Sequence, residues 1–436
     1  NAKIRLSAGS MGNGNVSPYS YTSEMTVSTA DDIVLGGSYP SYTSVGSTVP
    51  VSLTWEKSTT YDVGLDLDFF NNRLSVSGDY YRRYTTDMYT ASVALPAVYG
   101  TGSPKGNNAE MKTDGWELSL SWRDSFKLGG KPFDYSIKAM VWDSKSVITK
   151  YVNDTGSLGT VKGFIENGGS PSSYYVGMTV GEIWGYTVAG LFRDQADIDS
   201  SAIHDFVQAS DKVTRPGQVK IADLDGNGFI DPGNFAVDDH GDLRIIGNQS
   251  PRYRYGVNLS ARWNGIGLSV FLQGVGARDW YPGSDAGMFW GKYGRPFFAL
   301  IPSIHNYTDD MYSAERNNWD TAYWPRMTTY QSNGTKNWTR LLEIPNTRYI
   351  QSAAYLRVKN IQLDYSFPKH ICSAIRLQGL KIYVNAENLF TFTPLHKYAP
   401  NFDPEGLSYD SDFASAADGY TYPILKSVTV GVNITF

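Results

Sequence analysis

The chain has 436 residues, 41% of them hydrophobic and 14% aromatic, with 31 tyrosines against five histidines and one cysteine. A formal net charge of −5 disfavours nucleic-acid binding, and the lone Cys372 excludes an internal disulfide. No run of about 18 apolar residues occurs, which rules out membrane-spanning helices but not spanning strands, whose alternate residues face water.

In chain order, Asn1 opens almost directly into a strand-like segment, Lys3 to Ser10, without a methionine or a signal segment. The start is therefore expected to be mature, truncated or internal to a longer protein. Tyr61, Val63, Leu65, Leu67 and Phe69 alternate with Asp62, Gly64, Asp66 and Asp68, the period-two pattern of a strand with one apolar and one polar face. After a turn at Asn71-Asn72, Leu74, Val76, Gly78 and Tyr80 alternate with Arg73, Ser75, Ser77 and Asp79. The two runs predict a hairpin with its apolar rows in register.

Trp116, Leu118, Leu120 and Trp122 continue the pattern, followed by Phe133, Tyr135, Ile137, Ala139 and Val141. A third hairpin is expected to join Tyr253 to Trp263 with Leu268 to Leu272 through Asn264, Gly265, Ile266 and Gly267. Tyr253 and Trp263 are separated by about 33 Å of strand at ~3.3 Å per residue, which tilt brings close to two aromatic girdles about 25 Å apart. Later candidates are Tyr355 to Phe367, Leu380 to Leu389 and the terminal run Ser427 to Phe436. In that last run Val432, Ile434 and Phe436 share a face and form the expected outer-membrane insertion signal.

Short links alternate with long connections, Asp143 to Gly247, Gly276 to Ala353 and Phe390 to Tyr422, as in barrels with short periplasmic turns and large extracellular loops. The fold class is thus all-β, a membrane-spanning antiparallel β-barrel in the bacterial outer membrane. About ten to twelve strands are expected.

Two loop features bear chemistry. Asp223, Asp225, Asn227, Phe229 and Asp231 place oxygen donors at alternating positions, with Gly228 where a calcium loop turns sharply. The terminal bidentate glutamate is replaced by Asn234, with Asp238 and Asp239 as the expected substitutes. An all-oxygen set favours a structural calcium ion, with magnesium second, and an acidic turn capped by its own side chains is the competing account. The second feature is a string of loop aromatics, Trp280, Tyr281, Phe289, Trp290, Tyr293, Trp319, Tyr323 and Trp324. Sugar faces stack on such rings, which makes Trp280, Trp290, Trp319, Tyr323 and Trp324 candidate substrate contacts, although large-loop aromatics also pack on one another or on a partner.

Several spaced motifs carry a family resemblance. They run from Leu53-Thr-Trp55-Glu56 with Tyr61-Asp-Val-Gly64, through Asn72-Arg73-Leu74, Tyr80-Tyr81-Arg82, Trp184-Gly185-Tyr186 and Gly190-Leu191-Phe192, to Pro216-Gly217 and the Asp223 to Asp231 loop. Ile246-Gly247-Asn248-Gln-Ser-Pro251, Tyr355-Leu356-Arg357-Val-Lys359-Asn360, Asn388-Leu389-Phe390 and Asp403-Pro404-Glu405 follow in order. The chain resembles, end to end, the C-terminal part of SusC-like (RagA-like) TonB-dependent outer-membrane transporters.

That resemblance implies residues 1–436 as the C-terminal half of a 22-strand barrel, with the plug and the TonB-contacting box lying before Asn1. It also implies a SusD-like surface lipoprotein as a lid, energy from the TonB complex, and contact with outer-membrane lipid. The expected activity is active import of a nutrient, an oligosaccharide first and an oligopeptide second. A secreted aromatic-rich carbohydrate-binding or adhesin β-protein is the alternative. An enzyme is not expected and no catalytic residues are assigned, since His204, His240, His305, His370 and His396 are scattered without a nucleophile elbow, zinc spacing or phosphate loop.

Overall fold

The computed structural model describes all residues except 15–21, 23–24, 47–48, 50–52, 93–97, 99–104, 154–155, 159–173, 205–213, 283–285, 291–309, 327–344 and 408–423. His305 and Tyr293 lie outside the described residues. The first strands are β1 (Ala2–Asn13), β2 (Met25–Thr29), β3 (Ser41–Val45), β4 (Glu56–Phe69), β5 (Leu74–Ala91), β6 (Lys105–Leu128) and β7 (Lys131–Lys150). Short strands follow in the long connection, β8 (Glu182–Tyr186), β9 (Val188–Leu191), β10 (Val219–Ile221) and β11 (Leu243–Asn248). The remainder are β12 (Arg252–Trp263), β13 (Ile266–Ala277), β14 (Asp279–Trp280), β15 (Gln351–Ser352), β16 (Tyr355–Ser366), β17 (Gly379–Phe392) and β18 (Ser427–Thr435).

Ten of these form one antiparallel sheet in the order β1-β4-β5-β6-β7-β12-β13-β16-β17-β18. Every neighbour in the sheet is the next long strand in sequence, so the topology is a simple up-and-down meander, the pattern of barrel walls. Register keeps like faces together: Ile4 stands opposite Leu65, Leu65 opposite Gly78, Gly78 opposite Leu118 and Leu118 opposite Val141. The same row continues through Ile137, Leu259 and Val270 to Ile361. A slip by one residue would turn the entire row inward.

Turn chemistry fixes that register. Leu128 pairs with Lys131 and Trp263 with Ile266, leaving Gly129-Gly130 and Asn264-Gly265 as two-residue turns. All four turn residues have positive φ, the conformation a type I′ hairpin turn requires. The third hairpin link is therefore shorter than the expected Asn264 to Gly267: Ile266 and Gly267 are paired strand residues. The strands also outrun their apolar alternation, since β6 has 24 residues and β7 has 20. At ~3.3 Å per residue, β6 is about 80 Å long and projects well past the hydrocarbon.

Glycines in the polar row have a packing reason. Tyr383 stands opposite Gly431, and a Cβ at Gly431 would lie 2.3 Å from the tyrosine Cζ. The ring lies flat over the bare backbone of β18, and Tyr81 covers Gly115 in the same way. Val428, Val430, Val432, Ile434 and Phe436 on β18, and Ile4 and Leu6 on β1, remain exposed. Neither edge has a further strand among the described residues, yet an open edge is not viable in hydrocarbon, so both require strand partners.

Facing can be checked in β12. Leu259 is in the apolar row and Asn258 in the polar one. Leu259→Arg is expected to destabilise the membrane-inserted protein by about 2–4 kcal/mol, and Asn258→Arg to leave it near wild type, in urea titrations from lipid vesicles.

Candidate functional site

The inner face of the sheet is a wall of interacting polar groups. Arg5 pairs with Asp66 at 2.9 Å and Asp79 at 2.8 Å and donates to Ser77 at 3.2 Å. Ser136 and Ser260 share a 2.8 Å hydrogen bond, Asn360 donates to Asn385, and Asp364 is held by Lys381 at 3.2 Å. A hollow of about 690 Å³ opens on this face among Arg73, Arg123, Asp134, Ser260, Arg262 and Asp364. Such a wall suits a wet lumen.

The best-packed part of the molecule lies outside the sheet, in the long connections. Tyr186, Leu191, Val219, Ile221, Ile230, Leu243, Trp280, Tyr281, Phe289, Trp324, Tyr349, Leu395 and Phe402 belong to one buried cluster. It forms a cap at the end of the sheet opposite the tight turns. Here the aromatics have a structural use. Trp280, Trp290 and Trp324 are 1%, 2% and 0% exposed, and Trp324 stacks on Tyr349 with ring centroids 5.6 Å apart. Tyr323 stacks on Tyr398 at 3.7 Å, and Trp319 is partly buried against the same core. A ring face already covered cannot receive a sugar, so the structure corrects the expectation for Trp280, Trp290 and Trp324: these are core residues.

Charged groups fasten the cap to the wall. The wall is first braced at its own upper end, where Arg252 at the start of β12 donates from Nε and Nη2 to Asp143 of the adjacent β7 at 2.6 and 2.5 Å, and the Tyr253 N–H adds a third donor. Asp279 accepts from the Asn248 N–H at 2.9 Å, Asn248 accepts from the Ser250 N–H, and Ser250 Oγ donates to the Val180 carbonyl. Arg278 donates to the carbonyls of Gln249, Pro404 and Leu407, thereby gathering two distant connections.

On β16, Arg357 is 3% exposed and lies 2.7 Å from Asp403 and 2.9 Å from Glu405, which also receives Lys359 at 2.9 Å. The Tyr355 to Asn360 and Asp403 to Glu405 motifs are thus halves of one ion cluster. Nothing in their spacing within the chain shows that they meet.

The acidic loop folds as an interlaced turn. Asp223 accepts from the N–H groups of Gly226 at 2.6 Å and Gly228 at 3.0 Å, and these bonds hold its carboxyl below the usual range. Asn227 accepts from the Phe229 N–H and donates to Asp225 and Asp231, while Asp231 accepts from the Gly233 N–H. Ile203 clips the loop from outside: its N–H donates to the Gly228 carbonyl and its carbonyl accepts from Ile230.

The carboxylates that converge are Asp223, Asp225 and Asp242, with one oxygen of each within 4.8 Å of the others. Asp242 was not visible in the motif, because it arrives from the foot of β11. It is fully buried and accepts from the N–H groups of Leu224 and Asp231. Burial, joined by the charges of Asp225 and Asp223, raises its carboxyl above the usual range. Asp239, expected to substitute for the missing glutamate, instead accepts from the side chain of Asn234 and its carbonyl accepts from the N–H groups of Asn234 and Ala236.

Three of the described histidines make structural contacts, while His370 is exposed. His204 is buried, with Nδ1 2.8 Å from the Ala202 carbonyl and Nε2 accepting from the Ile221 N–H, and burial depresses its pKa. His240 faces Arg244, and His396 approaches the Phe402 carbonyl.

The family model described as TonB dependent receptor-like, beta-barrel matches residues 7–237, more than half of the chain. The chain belongs to this family. It is accordingly an outer-membrane β-barrel protein. Among similar receptors, TonB-dependent receptor P3 of Formosa agariphila is 26% identical over 442 residues, covering 100% of this chain and 39% of that receptor. TonB-dependent receptor SusC of Bacteroides thetaiotaomicron is 24% identical over 391 residues, covering 88% of this chain and 32% of SusC. The fold matches the RagAB peptide transporter with a TM-score of 0.67 at 18% identity, covering 100% of this chain and 40% of that one. The chain therefore spans between about a third and two fifths of the length of these proteins, and its place is the C-terminal part of the barrel.

Removing one member of a buried ion cluster strands its partners. Arg357→Ala is expected to cost about 3–5 kcal/mol and to loosen the cap locally. Amide exchange should accelerate across residues 393–407 while the β12-β13 hairpin keeps its protection.

Proposed function

We propose that this chain forms the closing part of a TonB-dependent importer that carries an oligomeric nutrient across the outer membrane with a SusD-like lipoprotein as its lid. The observation that carries the reading is the pairing of a wet, charge-lined wall with a packed cap at its extracellular end. A path needs the first, and a lid needs a rigid rim on which to close. The TonB complex would act through the plug and the N-terminal part of the protein that carries it, not through any residue described here.

An oligosaccharide is the first substrate class and an oligopeptide the second, the RagAB likeness being to a peptide transporter. The buried tryptophans add nothing to this choice. Growth of a strain lacking the transporter, on single glycans or on defined peptides, tests it. Loss of growth on one class, restored by the wild-type gene and not in a strain without TonB, is expected. Growth unchanged on every oligomer, with the protein retained at the surface as an adhesin, would overturn it.

The acidic loop is proposed to hold a structural calcium ion through Asp223, Asp225 and Asp242, with Asn227, Asp231 and the Phe229 carbonyl completing an all-oxygen set. Three carboxylates gathered in a small volume fit a hard divalent cation and offer nothing for hydrolysis. Chelation should expose residues 222–242 to protease, and Asp242→Asn should reproduce that sensitivity without chelator. Identical cleavage with and without calcium would remove the metal.

A further inference from the structure

The apolar face of the sheet is not uniform. In the row that faces lipid, Gly78 stands between Leu65 and Leu118. Its missing side chain leaves an apolar groove of about 430 Å³ walled by Val63, Leu65, Tyr80, Trp116 and Leu118. Packing does not demand a glycine there: a Cβ would meet its nearest neighbours, the Glu117 carbonyl and Leu118, at 3.8 Å, an ordinary contact. The groove is therefore space that a side chain could have filled.

The same row ends in charge immediately above the groove. Tyr80, Arg82 and Tyr84 follow Gly78 along one face of β5, with Trp116, Asp114 and Lys112 opposite them on β6. Asp114 receives Arg82 at 2.5 Å, Lys112 at 3.2 Å and the Tyr80 hydroxyl at 3.0 Å. Lys145 of β7 stands directly opposite Asp114 and is exposed. Arg82 and Lys112 thus share one carboxylate on the outward face, with Lys145 beside them, at the level of the aromatic belt of Tyr61, Tyr80, Tyr84 and Trp116. Aromatic belts mark the level of the headgroups, and cations at that level attract anionic ones.

We propose that β4, β5 and β6 hold a phosphorylated lipid of the outer leaflet on their outward face, with an acyl chain in the groove over Gly78 and the phosphate among Arg82, Lys112 and Lys145. The groove supplies shape and the cluster supplies charge. Neither alone selects a lipid: a bare groove takes any alkyl chain, and a bare cluster takes any anion.

Native mass spectrometry of the intact, delipidated transporter in detergent tests the site, with phosphatidic acid, the diacylglycerol of the same chains, and inorganic phosphate as probes. Phosphatidic acid should be retained at least about tenfold better than diacylglycerol, and a tenfold excess of inorganic phosphate should not displace it. Gly78→Leu, which fills the groove, and the pair Arg82→Gln with Lys112→Gln should each lower retention by about fivefold or more. Heat-modifiable migration on gels confirms that each variant remains a folded barrel, and the charge variant stands independently if Gly78→Leu does not fold. Equal retention of phosphatidic acid and diacylglycerol, displacement by inorganic phosphate, or unchanged retention in a folded variant would overturn the proposal.

Discussion

Inside a bilayer no water is available to satisfy a backbone N–H or C=O, so each strand must give its whole ladder of hydrogen bonds to neighbours. The architecture follows from that constraint. Strands have to be long, antiparallel and tightly linked at one end, and their side chains must alternate because one face meets lipid and the other water. Hairpins such as those turning at Gly129-Gly130 and Asn264-Gly265 satisfy it locally. The glycine-bearing positions of the polar row, with Tyr81 over Gly115 and Tyr383 over Gly431, let aromatic rings lie against the wall without displacing the ladder.

The constraint relaxes at the extracellular end, where the chain does its other packing. The wall has no core of its own beyond its single layer of side chains, and the buried apolar cluster sits in the cap. Cap and wall meet through charge: Arg357 on β16 with Asp403 and Glu405 of the last long connection. Ionic seams tolerate water and hold a defined geometry, which suits a junction between a membrane wall and an aqueous dome.

Much of the wall was legible in the sequence because period two is a short-range signal. Tyr61 to Phe69, Trp116 to Trp122 and the terminal run each show it within ten residues, and all lie in sheet strands. What stayed hidden depends on encounters between distant residues. Asp242 joins Asp223 and Asp225 only once β11 is in place, and Asp403 meets Arg357 only once the last long connection folds back. The loop tryptophans were ambiguous for a related reason: an aromatic that packs and one that binds have the same letter, and only burial separates them.

The division of the chain into near and far contacts also sets an order of assembly. Hairpin partners such as β6 and β7 pair across two-residue turns, whereas the bonds that seat the cap join residues 46 apart at Arg357 and Asp403 and 126 apart at Arg278 and Pro404. Closing loops of that length costs conformational entropy which short hairpins avoid, and non-local contacts form late. The cap therefore takes shape after the tight hairpins, together with the wall seams β7-β12 and β13-β16 that its long connections span.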